Sequence, residues 1–363
     1  MPVNKAKQLW EAHRANGLAD VIPILSALGF GLNKVQIHTE GERYLTSGKK
    51  FVLTGWRLND GKCVVIKISN HPQGRQEIER ERKSRIILEK INFAYHVFFS
   101  PEEILFTYQQ GYILFITSFI EQERKFLELP FKEQFFLALK AFETQEGVHA
   151  TTYEHANIIR ESFGIWNART YLKKSDRYLT DIALSLSKNT KIKTLLIKAR
   201  EFLTTNSKTI DLYSGFLTHW DFVPHNFRIR GRDIYLLDHS SIRFGNKYES
   251  WARFTNFMVL YNPVLEQALV EYVRKNRAEE ESLSLRLMRV FRLTELICHY
   301  ANTLPKISGD LHTLNQKRIE FWEYVLEAAL NNQSVPQEII EEYKNRRDSL
   351  RSEEEKQRQK VLH

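Results

Sequence analysis

The chain changes period once, and that change constrains its fold more than any other feature. Up to residue 118 it reads as β-structure broken by one helix, and beyond that point apolar spacing is helical for most of the remaining length. Residues 35–38, 51–58 and 63–69 are rich in β-branched and aromatic side chains and predict three strands. The last two are joined at Asn59-Asp60-Gly61, where Asp-Gly supplies the positive φ of a tight turn. Residues 73–91 predict a charged helix with Ile78, Ile86, Ile87 and Leu88 on its buried side, and residues 103–108 and 112–118 predict two more strands around a Gln-Gln-Gly turn. A strand-and-loop segment at 215–244 interrupts the helical part. Strands and helices segregated in this way specify an α+β architecture in two lobes rather than alternating βαβ units.

The expected divisions are a helical N-terminal extension of one or two short helices over 1–34, a small lobe over 35–118, a larger lobe over 119–336 and a charged helix or tail over 337–363. The charges of that last segment nearly cancel in sign, which predicts a solvated element. Cys63 and Cys298 are the only cysteines, so a disulfide framework and a Cys-rich zinc site are excluded and a reducing, cytoplasmic setting is expected. No apolar run has the length of a membrane span, and the apolar stretch 21–32 follows Asp20 and contains Pro23, unlike a secretory leader. The 53 Lys and Arg against 44 Asp and Glu, a net charge of +9, point to nucleic acid, membrane phosphate or a phosphate-bearing ligand, and the sign alone does not choose among them.

The chemistry is concentrated in residues 217–239. His219, Asp221 and Asn226 stand as H-x-D-x-x-x-x-N, and Asp238 follows at the end of the apolar run Ile234-Tyr-Leu-Leu. Phosphoryl transfer needs this set: a carboxylate to orient a hydroxyl and accept its proton, and an amide oxygen with a second carboxylate to hold magnesium on nucleotide phosphates. Magnesium keeps several waters, so two protein ligands suffice. Upstream, Lys67 sits inside the apolar strand Val64-Val-Ile-Lys, where it needs a partner. Glu77, Glu79 and Glu81 on the following helix are candidates; Glu81 shares a side with Leu88 at i, i+7 and is preferred. No histidines are spaced for a zinc site, but His225 and His239 adjoin the proposed metal ligands. Arg228, Arg230 and Arg232 alternate along a hairpin and are expected on an exposed face.

Taken together, Lys67, the Ile78-Glu-Arg-Glu81 helix, His219-Trp-Asp-Phe-Val-Pro-His-Asn226 and Leu237-Asp-His-Ser-Ser-Ile-Arg-Phe-Gly245 resemble the aminoglycoside phosphotransferase and choline kinase group of protein-kinase-like enzymes. The resemblance covers about residues 35–257. It implies a two-lobed protein-kinase-like fold, ATP and Mg2+ as cofactors, and transfer of the γ-phosphoryl group to a hydroxyl of a small-molecule acceptor. It further implies Asp221 as base, His219 as a structural support of its loop, Asn226 and Asp238 as magnesium ligands, Lys67 with Glu81 as the phosphate-positioning pair, and residues 112–121 as the strand and hinge that meet adenine.

Three departures stand out. Trp220 occupies a position where these small-molecule kinases usually have Gly. The segment between the first two strands contains only Gly41 and Gly48, so Ser47 and Gly48 with their basic neighbours are the residues left to cover phosphates. Residues 246–254 replace the acidic and small residues often found there. The competing functions are a nucleotide-binding scaffold without turnover, against which Lys67, Asp221, Asn226 and Asp238 stand together, and a basic nucleic-acid-binding protein, which rests on net charge alone. Nucleic acid is therefore not the expected partner.

Overall fold

The computed structural model describes residues 3–40, 49–91, 99–150, 155–186 and 189–362. Its first element, α1 (Val3–Ala27), is one continuous helix with Pro23 inside it, in place of the one or two short helices expected. There follow β1 (Phe30–Leu32), β2 (Phe51–Arg57), β3 (Cys63–Ser69), α2 (Pro72–Lys90), β4 (Glu103–Gln109) and β5 (Tyr112–Ser118). The five strands form one antiparallel sheet in the order β1-β2-β3-β5-β4.

The first strand is not at residues 35–38, as the β-branched composition suggested. Gln36 explains the difference: its amide oxygen accepts from Thr54 N at 2.8 Å and its amide nitrogen donates to Thr54 O at 2.8 Å, so a side chain takes the place of a neighbouring strand. Residues Ile37–Thr39 turn as a 3-10 helix, and the pairing with β2 passes to Phe30–Leu32. There the two backbones approach so closely that a Cβ on Gly55 would lie 2.1 Å from the Gly31 carbonyl, which only glycine permits.

Strand alternation gives the sheet two faces with different tasks. Val64, Ile66 and Ile68 pack with Leu53, Leu114 and Ile116 under Val21, Ile24 and Leu25 of α1. Val65 and Lys67 point the other way, toward the cleft, while Ile113 and Phe115 on that face meet Ile78 of α2.

The larger lobe comprises α3 (Phe131–Glu146), α4 (Ala156–Phe163), α5 (Ala168–Ser185), α6 (Thr190–Thr205), α7 (Ser207–Leu212), β6 (Phe216–His219), β7 (Phe227–Arg230), β8 (Asp233–Leu236), β9 (Ile242–Gly245), α8 (Glu249–Tyr261), α9 (Pro263–Asn276), α10 (Glu279–Thr303), α11 (Gly309–Leu330), α12 (Gln337–Leu350) and α13 (Glu353–Leu362). β6 pairs with β9, and β7 with β8 around Gly231, whose φ of +62° the hairpin turn requires. With a small antiparallel sheet lobe and a larger helical one, the chain has the two-lobed α+β kinase-like fold. None of the described helices is long and apolar enough to cross a membrane.

The end of the chain is not simply solvated, as its balanced charges suggested. Glu355 on α13 is buried and accepts from Arg358 at 2.7 and 2.8 Å, and Lys125 donates to the Lys360 carbonyl. α13 thereby lies against the body of the protein, with Arg358 in the cleft.

Candidate active site

A cavity of about 320 Å³ lies between the lobes, and Lys67, Glu81, Asp221, Asn226 and Asp238 all line it. Lys67 is carried in by β3, with Val65 and Phe115 beside it as apolar walls. It donates to Glu81, and also to the Leu237 carbonyl at 3.1 Å. This second bond ties the sheet lobe to the residue preceding Asp238. Glu79, the other helix carboxylate considered, is instead taken up by the Tyr108 hydroxyl at 2.6 Å on the exposed side.

Burial pushes the Glu81 carboxyl up, with Lys67 opposing. Its Oε2 is buried without a hydrogen-bond partner. Lys50, one residue before β2, also lines the cavity, 3.4 Å from Glu77. Burial lowers the Lys50 ammonium, but Glu81, Asp238 and Glu77 together outweigh this and raise it. In the sequence Lys50 is one of the basic neighbours of Ser47 and Gly48 in the segment expected to cover phosphates, and nothing there distinguishes it from Lys49. Ser47 and Gly48 lie outside the described residues.

The opposite wall is built by two adjacent turns. His219 ends β6; its N–H donates to Ser250 Oγ at 2.8 Å, and its Nε2 lies 2.6 Å from the Asp238 carbonyl. Trp220 N donates to Ser241 O at 2.8 Å and Leu237 N to Asn226 O at 2.9 Å, so the loop carrying Asp221 and Asn226 is held against the one carrying Asp238. Asn226 Nδ2 donates to the Asp221 carbonyl at 2.8 Å and to Asp221 Oδ2 at 2.9 Å. That orientation commits the amide nitrogen to Asp221 and leaves the amide oxygen as the free donor atom for a hard cation.

Asp238 accepts from Ser240 N at 3.2 Å, from Ser240 Oγ at 2.5 Å and from Ser241 Oγ at 2.9 Å. Burial would raise its carboxyl, but Lys67, Lys50 and His219 hold it well below the usual carboxylate range. An ionised carboxylate beside an amide oxygen fits magnesium, which accepts two protein ligands and completes its shell with phosphate oxygens and water.

Asp221 is set deep in the cleft, yet 36% of its side chain stays open toward the cavity. Burial would raise its carboxyl, but Arg253, His225, His219 and Arg292 pull it well below the ordinary range. Arg253 donates Nε to Oδ1 at 2.8 Å, and its Nη2 is also 2.8 Å away. No sequence motif singled out Arg253, which falls among the residues that depart from the family pattern. His225 is held to about 4 by burial and His239 to about 3, so both rings are neutral near pH 7. His239 Nε2 meets Ser100 Oγ at 2.9 Å, and both rings line the cavity as expected. Arg228 corrects the reading of an exposed arginine face: it lines the cleft, and burial lowers its guanidinium, whereas Arg230 stays exposed over Tyr235.

The bulk of Trp220 also has a structural account. Its ring lies between two guanidiniums, Arg243 at 3.6 Å and Arg292 at 3.8 Å from the ring centre. Arg292 Nη2 additionally donates to the Trp220 carbonyl at 2.7 Å. Cation–π stacking at sites removed from water contributes on the order of 2 kcal/mol per pair, so a large aromatic is a structural member here rather than a misfit.

The chain matches no protein-family model and no curated protein. It does share its shape with solved structures. A thermostable mutant of aminoglycoside phosphotransferase APH(4)-Ia, in ternary complex with AMP-PNP and hygromycin B, aligns at TM-score 0.55 and 13% identity over 78% of this chain and 91% of that one. ADP-bound aminoglycoside phosphotransferase APH(2'')-Ib aligns at 0.52 and 15% identity over 81% and 92%. A macrolide 2'-phosphotransferase type I aligns at 0.54 and 14% identity over 83% and 96%. At such identities the likeness establishes the fold, which is that of the aminoglycoside phosphotransferases.

Proposed function

We propose that the chain is an ATP-dependent phosphotransferase that moves the γ-phosphoryl group of Mg-ATP to a hydroxyl of a small molecule. The observation that carries this reading is the contact of Lys67 with both Glu81 and the Leu237 carbonyl, which brings the phosphate-positioning pair to the proposed magnesium carboxylate, Asp238, in one cavity. The structural neighbours named above, two of them nucleotide complexes, support it. Magnesium, when bound by Asn226 and Asp238, would neutralise charge on the phosphates.

The chain's own groups supply the rest. Lys67, held by Glu81, positions the phosphates, with Lys50 as a second cation at the same wall. Asp221 is ionised throughout the neutral range, so it can orient the acceptor hydroxyl and take its proton. The acceptor oxygen forms a bond to the γ-phosphorus while the bond from that phosphorus to the bridging oxygen breaks, and ADP leaves with the electron pair. Arg253 and Asn226 hold the Asp221 carboxylate in place from two sides and are positioning residues in this scheme. His219 acts through the loop it ties down and touches no reacting atom.

The test is thermal stabilisation by AMP-PNP with magnesium, which should amount to about 2.7 kcal/mol at one hundred times Kd. Asp238→Ala should abolish the magnesium-dependent part. Equal stabilisation of both proteins, or none in the parent chain, would remove the basis for the nucleotide site.

A further inference from the structure

We infer that α13 is a releasable strap over the Asp221 side of the cleft, and that docking and release of this helix regulate entry of the acceptor. The inference rests on the phosphotransferase reading above for what enters, and on contacts alone for the strap. α13 meets both lobes at once. It packs on Ile37–Thr39, the 3-10 turn of the small lobe whose Thr39 carbonyl accepts from Trp10 Nε1 at 3.2 Å, while Lys125 of the larger lobe donates to the Lys360 carbonyl. From the same helix, Arg358 lines the cleft with His38 of the small lobe and Asp221, His225 and Asn226 of the larger one. Glu355, Arg358 and Gln359 also line a separate cavity of about 240 Å³ beside Arg253. Lifting α13 removes a wall from each.

The helix is held in a way that permits its release. Residues 353–360 all carry charged or amide side chains, and of these only Glu355 is buried. Glu355 accepts from Arg358 and from Gln359 Nε2 at 2.7 Å, partners on its own helix. Ten residues are fewer than the roughly 12–15 at which an isolated helix becomes marginal in water, so α13 draws stability neither from its length nor from an apolar seam. α12, immediately before it, is the opposite case: it buries Ile340 and Tyr343, and the Tyr343 ring stacks on Phe321 at 4.3 Å. Between the two, Arg351 is extended at φ −78° and ψ 141°, and Ser352 Oγ accepts from Glu355 N at 3.2 Å. α13 can therefore swing about residues 351–352 while α12 stays anchored, as segments with few buried apolar contacts open at low free energy.

The experiment uses the full chain without nucleotide, so that its result is independent of the proposed function. Hydrogen exchange of α13 amides is compared with that of α11, and access to the cleft is read by diethyl pyrocarbonate acylation of His225, with the exposed His71 as reference. The His225 ring lines the cleft and is neutral near pH 7, the form that reacts. In the parent chain α13 should exchange at least about tenfold faster than α11 and slower than an unfolded peptide. Lys125→Ala and Glu355→Gln should each speed that exchange about 3- to 10-fold, the range for one charge-assisted hydrogen bond near the surface, and raise His225 acylation relative to His71 by a similar factor. Unchanged exchange in α11 shows that the variants fold. α13 as slow as α11 would make it an integral part of the fold, exchange at the peptide rate would mean that it does not dock, and exchange unaffected by both substitutions would mean that these contacts do not hold it; each overturns the inference. Faster exchange with His225 acylation unchanged overturns it as well, because α13 would then cover nothing at Asp221. If the strap behaves as expected and AMP-PNP fails to stabilise the chain, the phosphotransferase reading falls while the strap stands.

Discussion

Replacing Lys67 with Met removes one half of a pair whose side chains are 12% and 3% exposed, and leaves Glu81 buried beside an apolar group. Breaking a buried ion pair from one side costs about 3–5 kcal/mol, because the remaining charge has lost its compensation. Glu81 has a way to reduce that cost, since burial already pushes its carboxyl up and Lys67 is the main force opposing it. Without Lys67 the folded-state pKa rises further above the unfolded value, so the protonated form is the one the fold favours. Stability of Lys67→Met is then fully present below the unfolded carboxyl's range, about pH 4, and is lost as pH rises through the folded pKa, at up to about 1.4 kcal/mol per pH unit. Urea unfolding at pH 5.5 and pH 8 measures this directly. The deficit relative to the parent chain should be larger at pH 8, and adding Glu81→Leu should recover much of it by removing the buried carboxyl. A deficit equal at both pH values and unaffected by the second substitution would refute the reasoning, because it would mean the two side chains do not depend on each other.

Two further predictions concern Glu323 and Trp220. Glu323 is pushed up to about 7 by burial, with Lys191 opposing; its raised folded pKa means stability lost as pH climbs from about 4.3 through 7, so Glu323→Gln should be more stable than the parent by roughly 1–3 kcal/mol at pH 8 and equal to it below pH 4, read by urea unfolding. Trp220→Gly, the residue usual in the resembled enzymes, should cost about 2–4 kcal/mol by the same measurement, because Arg243 and Arg292 lose the ring between them; a loss under about 1 kcal/mol would mean the stack carries little.

The residues most legible in the sequence were those fixed by short-range spacing. Asp221 and Asn226 lie on one loop and Asp238 at the end of the following hairpin, so a few local hydrogen bonds suffice to bring them together, and the same spacing is visible in the text. Helix periodicity selects Glu81, and it does meet Lys67, although Leu88, the residue that sets the helix face in that reading, packs against the core of the larger lobe and Ile78 is the α2 residue that packs on the sheet. What failed did so where a side chain replaced backbone logic or where distant segments met. Gln36 mimics a strand partner for Thr54, which composition cannot reveal. Arg253 and Arg358 reach the cleft from α8 and α13, and nothing local distinguishes them from the other charged residues of their helices. The near-neutral charge of the last segment read as solvation, yet Glu355 is buried against Arg358 within a single turn of α13. Charge balance describes a segment's composition, whereas burial depends on what the rest of the chain places against it.

Magnesium-dependent formation of ADP from ATP, followed with and without a panel of small hydroxyl compounds in the parent chain and in Asp221→Asn, tests the central claim most directly. The substitution keeps the shape of the side chain and its bond with Asn226 but removes the proton acceptor, so turnover should fall about 10²- to 10⁴-fold while magnesium-dependent AMP-PNP binding is retained. Turnover in Asp221→Asn within tenfold of the parent, under conditions where the parent is active, would contradict the account.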